Sequence, residues 1–128
     1  MNTAYKPQGY TSAAPYLIVS DAEQAIDFLK RVFGAKELRR FEGDGGRLMH
    51  AEVQIDDTVI MMGNSADGWP PVPAHVHVYV PDVDATYREA LDAGATSMQE
   101  PVRKGDADKR GGFIDPIGTT WWIATTVG

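Results

Sequence analysis

The sequence contains no cysteine, which excludes disulfides, thiolate metal sites and cysteine nucleophiles. It has no apolar run of membrane-spanning length and no signal-peptide pattern at its start, so a soluble cytoplasmic protein with no membrane partner is the expectation. Basic residues are scarce: 12 Lys and Arg stand against 18 Asp and Glu, a net charge of -6. The densest basic run, Arg103-Lys104 through Lys109-Arg110, is broken by Asp106 and Asp108. Nucleic acid needs clustered cations and is not expected as a partner. Serine is sparse and no Gly-x-Ser-x-Gly elbow occurs. Gly43 to Gly46 precede a strand, whereas a phosphate loop leads from a strand into a helix.

What is present is strongly patterned. His75-Val76-His77-Val78-Tyr79-Val80 alternates strictly, valines on one face and His75, His77 and Tyr79 on the other, the mark of a half-buried strand. Two of the chain's three histidines lie on that polar face. It reads as a metal site, a binding pocket or a solvated surface. Residues 47–55 alternate as well, with Met49, Ala51, Val53 and Ile55 opposite His50, Glu52 and Gln54. Residues 15–19, 38–41 and 58–62 are further strands. Ala25, Phe28, Leu29 and Val32 form a helical stripe, opened by Ser20 with Glu23 or Asp21 with Gln24 and stopped by Gly34. After a Pro- and Gly-rich linker, a second helix starts at Asp82, buries Tyr87, Ala90 and Leu91, and stops at Gly94. A weaker strand at 95–102, a charged loop at 103–109 and a hairpin, 111–115 with 119–126, complete the chain.

The two halves repeat. Val19-Ser20-Asp21 aligns with Val80-Pro81-Asp82, Gly34-Ala35 with Gly94-Ala95, and Asp57 with Gly118, at offsets of 61, 60 and 61 residues. Matching offsets over the same order of elements signal duplication. The expectation is an α+β fold of two tandem βαβββ modules. Module one covers about residues 13–63, the linker 64–74 and module two about 75–126, within a single domain of residues 1–128. Curved mixed sheets would surround a cleft lined by polar strand faces, with the helices on the outer face.

Pro15-Tyr16-Leu17-Ile18-Val19 with Asp21, Ala25-Ile26-Asp27-Phe28, Phe33-Gly34-Ala35, Met49-His50-Ala51-Glu52, Asp115-Pro116-Ile117-Gly118 and Trp121-Trp122-Ile123-Ala124-Thr125 together resemble the vicinal oxygen chelate superfamily. That superfamily comprises glyoxalase I, bleomycin-resistance proteins and extradiol dioxygenases; the likeness is greatest to its PhnB-like, glyoxalase-related proteins. The resemblance implies paired modules, a homodimer, and a ligand or metal cleft in each sheet. Metal-binding members take ligands from the first and last strands of each module. Overlaying that pattern gives Ala14, Met61, His75 and Trp122, of which His75 alone can ligate.

The resemblance therefore implies a metal-free protein that binds a small apolar or aromatic molecule. The expected pocket residues are Tyr16, His50, Glu52, Met61, His75, His77, Tyr79, Arg110, Phe113 and Trp122. Tyr16 aligns with His77, Met61 with Trp122, and Glu52 with Phe113 at the offset of 61. Arg110 would clamp a carboxylate or phosphate. No catalytic residue is assigned. One alternative is a lyase, isomerase or dioxygenase with a divalent metal relocated near His50, Glu52 and His75; zinc or nickel suits such ligands. Another is a structural or regulatory dimer with a vestigial pocket.

Overall fold

A computed structural model of the chain describes residues 5–105 and 107–127. Residues 1–4, Asp106 of the expected charged loop, and Gly128 lie outside the described part. The first module runs β1 (Tyr16–Val19), α1 (Ala22–Phe33), β2 (Lys36–Glu42), β3 (Leu48–Ile55) and β4 (Thr58–Asn64). The second runs β5 (His75–Tyr79), α2 (Val83–Asp92), β6 (Thr96–Arg103), β7 (Asp108–Ile114) and β8 (Thr120–Thr126). Each forms a four-stranded mixed sheet, in the orders β1-β4-β3-β2 and β5-β8-β7-β6. The α+β fold of two tandem βαβββ modules is thus present. Among the described residues no helix is long and apolar enough to cross a membrane.

The duplication extends to individual hydrogen bonds. Asp21 caps α1 by accepting from the Gln24 amide at 3.1 Å, and Asp82 caps α2 by accepting from the Ala85 amide at 3.1 Å. The next orphan donor is met from the last strand of the same module. Asn64 accepts from the Ala22 amide at 2.7 Å, and Thr125 accepts from the Val83 amide at 2.9 Å. Both caps satisfy donors that a helix start otherwise leaves unpaired. Gly34, at φ +64°, closes α1 in the left-handed conformation.

One core serves both modules. The inner sides of both sheets and the apolar stripes of both helices contribute to it. Phe28 of α1 packs 5.9 Å from the Phe113 ring, and Phe33 packs 5.3 Å from Trp121, so α1 reaches the sheet of module two. Asp115 is buried yet fully engaged. It accepts from the amides of Ile117, Gly118 and Thr119 and from the Trp121 indole at 2.8 Å.

Several sequence-based boundaries shift. β2 starts at Lys36, β4 extends through Asn64, and β7 starts at Asp108 inside the stretch expected to be loop. There Asp108 and Lys109 pair with Thr126 and Thr125. Met49 is exposed, and Leu48 takes the buried position instead. The ladder explains it: Phe41 pairs with His50 but Glu42 with Leu48, so Met49 is the extra residue of a β-bulge. In α2, Val83 joins Tyr87 and Ala90 in the buried set and Leu91 is only partly buried.

The repeat offset is not uniform. β3 joins β4 through two residues, Asp56 and Asp57, because Ile55 pairs with Thr58. In module two Asp115 bonds to Thr119 at 2.9 Å, leaving three residues between them. A helix α2 shorter than α1 sets the offset at 60 along β7, and this extra residue returns it to 61 on β8. Glu52 lies opposite Met61, and Gly112 lies opposite Trp122. Gly112, not Phe113, is therefore the counterpart of Glu52. Phe113 matches Val53, faces the helices and is fully buried; its expected place on the pocket wall is corrected.

Candidate functional site

The open face of module one gathers Tyr16, His50 and Glu52, as the sequence suggests, with Met61 beside them on β4. Glu52 is only 2% exposed. Its carboxylate accepts from the Tyr10 hydroxyl, from Arg39 Nε at 3.2 Å and from His50 Nε2 at 2.8 Å. Burial raises the Glu52 carboxyl, but the hydrogen bonds from Tyr10, His50 and Arg39 outweigh it and hold the group below the ordinary glutamate value. In a neutral imidazole, donation from Nε2 leaves Nδ1 as an acceptor. The Tyr16 hydroxyl lies 3.2 Å from it.

Two of these contacts depend on backbone features that sequence reasoning missed. A second bulge sets Leu38 and Arg39 together opposite Glu52, since Glu37 pairs with Val53 and Arg40 with Ala51. It turns Arg39 to the open face while Glu37 and Arg40 meet Lys30 and Glu23 of α1. Tyr16 reaches across β4 to β3 over Gly63, where a Cβ would lie 3.0 Å from its hydroxyl oxygen. Tyr10 belongs to the arm before β1, a segment whose polarity carries no sign of a site.

The open face of module two gathers His75, His77, Tyr79, Arg110 and Trp122. Trp122 Nε1 donates to His75 Nδ1 at 3.0 Å, and the ring planes differ by 13° with centroids 6.3 Å apart. An indole N–H lies in the ring plane, as does the imidazole lone pair. The two rings therefore meet edge to edge, forming one nearly flat surface. Gly112 lies beneath it: a Cβ there would be 2.5 Å from Trp122 Cε3 and 2.7 Å from Cζ3. The indole thus rests on bare backbone. Glycine inside a strand is a signal for such close approach, and Gly111-Gly112 offered it.

A polar chain runs beside this surface. Arg110 Nε donates to His77 Nε2 at 3.0 Å, and Arg110 Nη2 to Asp108 Oδ2 at 2.9 Å. The Tyr79 hydroxyl donates to the same Asp108 oxygen at 2.7 Å, and the Tyr79 and His77 rings meet edge-on. Burial first, and then the Arg110 charge, lower His77 below the ordinary histidine value, so it stays neutral and accepts. The Tyr79 hydrogen bond is the main reason Asp108 is held below the ordinary aspartate value. Arg110 is thereby fixed at the edge of a cavity of about 160 Å³ lined by Gln99, Val102, Lys104, Asp108 and Trp122. A larger cavity, about 580 Å³, lies at the seam between modules against Phe33, Ile55, Val78 and Thr126. Of the expected pocket residues only Tyr79 touches it, and it brings little chemistry; the smaller cavity has the convergent groups.

The family model for the Glyoxalase/Bleomycin resistance protein/Dioxygenase superfamily matches residues 9–123. The chain belongs to that superfamily. An uncharacterized protein of Mycobacterium tuberculosis is 33% identical over 142 aligned positions, covering 97% of this chain and 84% of the relative. Among solved structures, TioX from Micromonospora sp. ML1 superposes with a TM-score of 0.75 at 24% identity, covering 90% of this chain and 99% of TioX. The PhnB protein from Bacillus cereus gives 0.74 at 15% identity, covering 90% of this chain and 99% of its own. At these identities both establish the fold alone.

Superfamily membership raises the question of a metal, and the donor set answers poorly. At the ligand-type positions Ala14, Met61 and Trp122 carry no hard donor, and the His75 Nδ1 lone pair is taken up by the Trp122 indole. A catalytic zinc-type site takes about three His or carboxylate ligands. Among the described residues no three His, Asp or Glu side chains are grouped to hold an ion. His50 and Glu52 adjoin each other in module one, while His75 is engaged in module two. The residues present in one chain do not fit the group.

Proposed function

We propose that this superfamily member is a metal-free binding protein for a small planar aromatic molecule, held on the open face of module two. One observation carries the reading: the Trp122 indole packs directly against Gly112, where no side chain intervenes, and is pinned by its hydrogen bond to His75. A flat, fixed ring offers stacking area at little entropic cost. Arg110, held by His77 and Asp108, and Lys104 on the same cavity suit a ligand with a carboxylate or similar anionic edge. The homodimer belongs to this proposal, and light scattering at micromolar concentration tests it: a monomer would contradict it.

A melting screen against benzoate, naphthoate and uncharged planar aromatics tests the binding itself. A molecule bound only by the folded state must raise the melting midpoint. Naphthoate is expected to raise it, benzoate less, and Trp122→Ala to abolish both shifts. A panel without effect, or shifts that persist in Trp122→Ala, would favour a vestigial pocket.

A further inference from the structure

We propose that the open face of module one carries a separate acid–base site, in which Tyr16 exchanges a proton with a bound molecule through His50 and Glu52. The groups form an unbroken line from solvent to the interior. Tyr16 is 45% exposed, its hydroxyl lies 3.2 Å from His50 Nδ1, His50 Nε2 lies 2.8 Å from Glu52 Oε2, and Glu52 is 2% exposed. Tyr10 and Arg39 also contact that carboxylate. This is the arrangement of a nucleophile or base, an imidazole and an orienting carboxylate, with phenol in the outer position. The site stands on module one residues alone and does not depend on the Trp122 surface.

The direction of proton flow follows from the partners. With Nε2 against Glu52, His50 turns Nδ1 toward Tyr16, and the imidazolium formed by taking a proton there would face the Glu52 carboxylate. Charge separation is then stabilised at the position where it develops. Tyr79 provides the contrast within the same chain. It is 60% exposed, but its hydroxyl donates to Asp108, and this hydrogen bond raises the phenol above its ordinary value. Asp108 is held below the ordinary aspartate value and is a poor proton acceptor. Tyr16 alone of these two has a base behind it.

The ligand class is a molecule with a weakly acidic O–H, or a C–H next to a carbonyl. As its X–H bond breaks, the electron pair stays on X and the proton passes to the Tyr16 oxygen, while the Tyr16 proton moves to His50 Nδ1. The reverse movement returns a proton to the molecule. No electron is gained or lost by the protein.

Reactivity of Tyr16 toward benzenesulfonyl fluoride reports on this relay without a substrate. The phenol oxygen bonds to sulfur, the sulfur–fluorine bond breaks, fluoride leaves and the phenol proton goes to His50. Labelling rates at each tyrosine are followed by peptide mass spectrometry, with Tyr79 as the internal reference. Tyr16 is expected to react at least tenfold faster than Tyr79. His50→Gln, which keeps a polar side chain but no basic nitrogen, should bring Tyr16 down to the Tyr79 rate, and Glu52→Gln should slow it threefold or more. Added imidazole should restore part of the rate in His50→Ala, which a merely structural role for His50 would not allow. Should Glu52→Gln fail to fold, the half-exposed His50 variants decide. Equal rates at Tyr16 and Tyr79, or a Tyr16 rate untouched by His50→Gln, would overturn the relay.

Discussion

Gly112 and Trp122 are matched across the β7–β8 ladder: the strand leaves out a side chain where the indole lies down. An alanine Cβ at Gly112 would stand 2.5 Å from Trp122 Cε3, inside any real contact distance. Gly112 is not among the residues with positive φ, so space and not backbone strain sets the cost. Gly112→Ala is expected to lift the ring off the sheet, break the 3.0 Å bond to His75 and destabilise by about 1–3 kcal/mol, as overpacking does. Denaturant unfolding and loss of the naphthoate melting shift measure the two effects.

His77 should titrate below the ordinary histidine value of 6.5. Its folded-state value is depressed, so its contribution to stability is complete above 6.5 and is lost as pH falls through the lower folded value. Protonation would also remove the acceptor that Arg110 uses. An NMR titration of His77 is expected to show the depressed midpoint, and Arg110→Met to move it upward. A midpoint unchanged by that substitution would assign the shift to burial alone.

Glu52 carries the same sign for a different reason. Its carboxyl is held below the ordinary 4.5, so its stabilisation is present above 4.5 and disappears as pH falls through the lower folded value. Acid unfolding of the native chain should steepen in that window. Glu52→Gln is expected to flatten the response and to be less stable at neutral pH, because Tyr10, Arg39 and His50 lose an ionised acceptor. Urea midpoints measured across pH 3 to 7 resolve both effects.

Phe113 sorts the helix side of the sheet from the open side. Buried between Phe28 and Phe33, it should cost about 3–5 kcal/mol when replaced by alanine. A side chain lining an open pocket would cost far less. Equilibrium unfolding of Phe113→Ala decides.

The tandem modules were legible because duplication and period-two alternation are read directly from residue order. Alternation also found His50 with Glu52, and His75 with His77 and Tyr79. The fixed offset of 61 failed at β7 because α2 is shorter than α1, and a slip of one residue moves every side chain of a strand to the opposite face; the extra residue of the Asp115–Thr119 turn restores the offset only on β8. Arg39 and Met49 were hidden by bulges, which break the period that alternation relies on. Tyr10 lay beyond reach because its contact with Glu52 spans 42 positions and no local pattern marks it.

The Trp122 indole N–H resonance, assigned with Trp122→Phe, gives the most direct test of metal-free aromatic binding. Naphthoate is titrated into protein treated with EDTA and into untreated protein. Saturable movement of this resonance, with the same affinity in both samples and no stoichiometric metal by elemental analysis, is the expected result. A resonance that does not move, or binding that appears only when zinc, nickel, manganese or iron is restored, would contradict it.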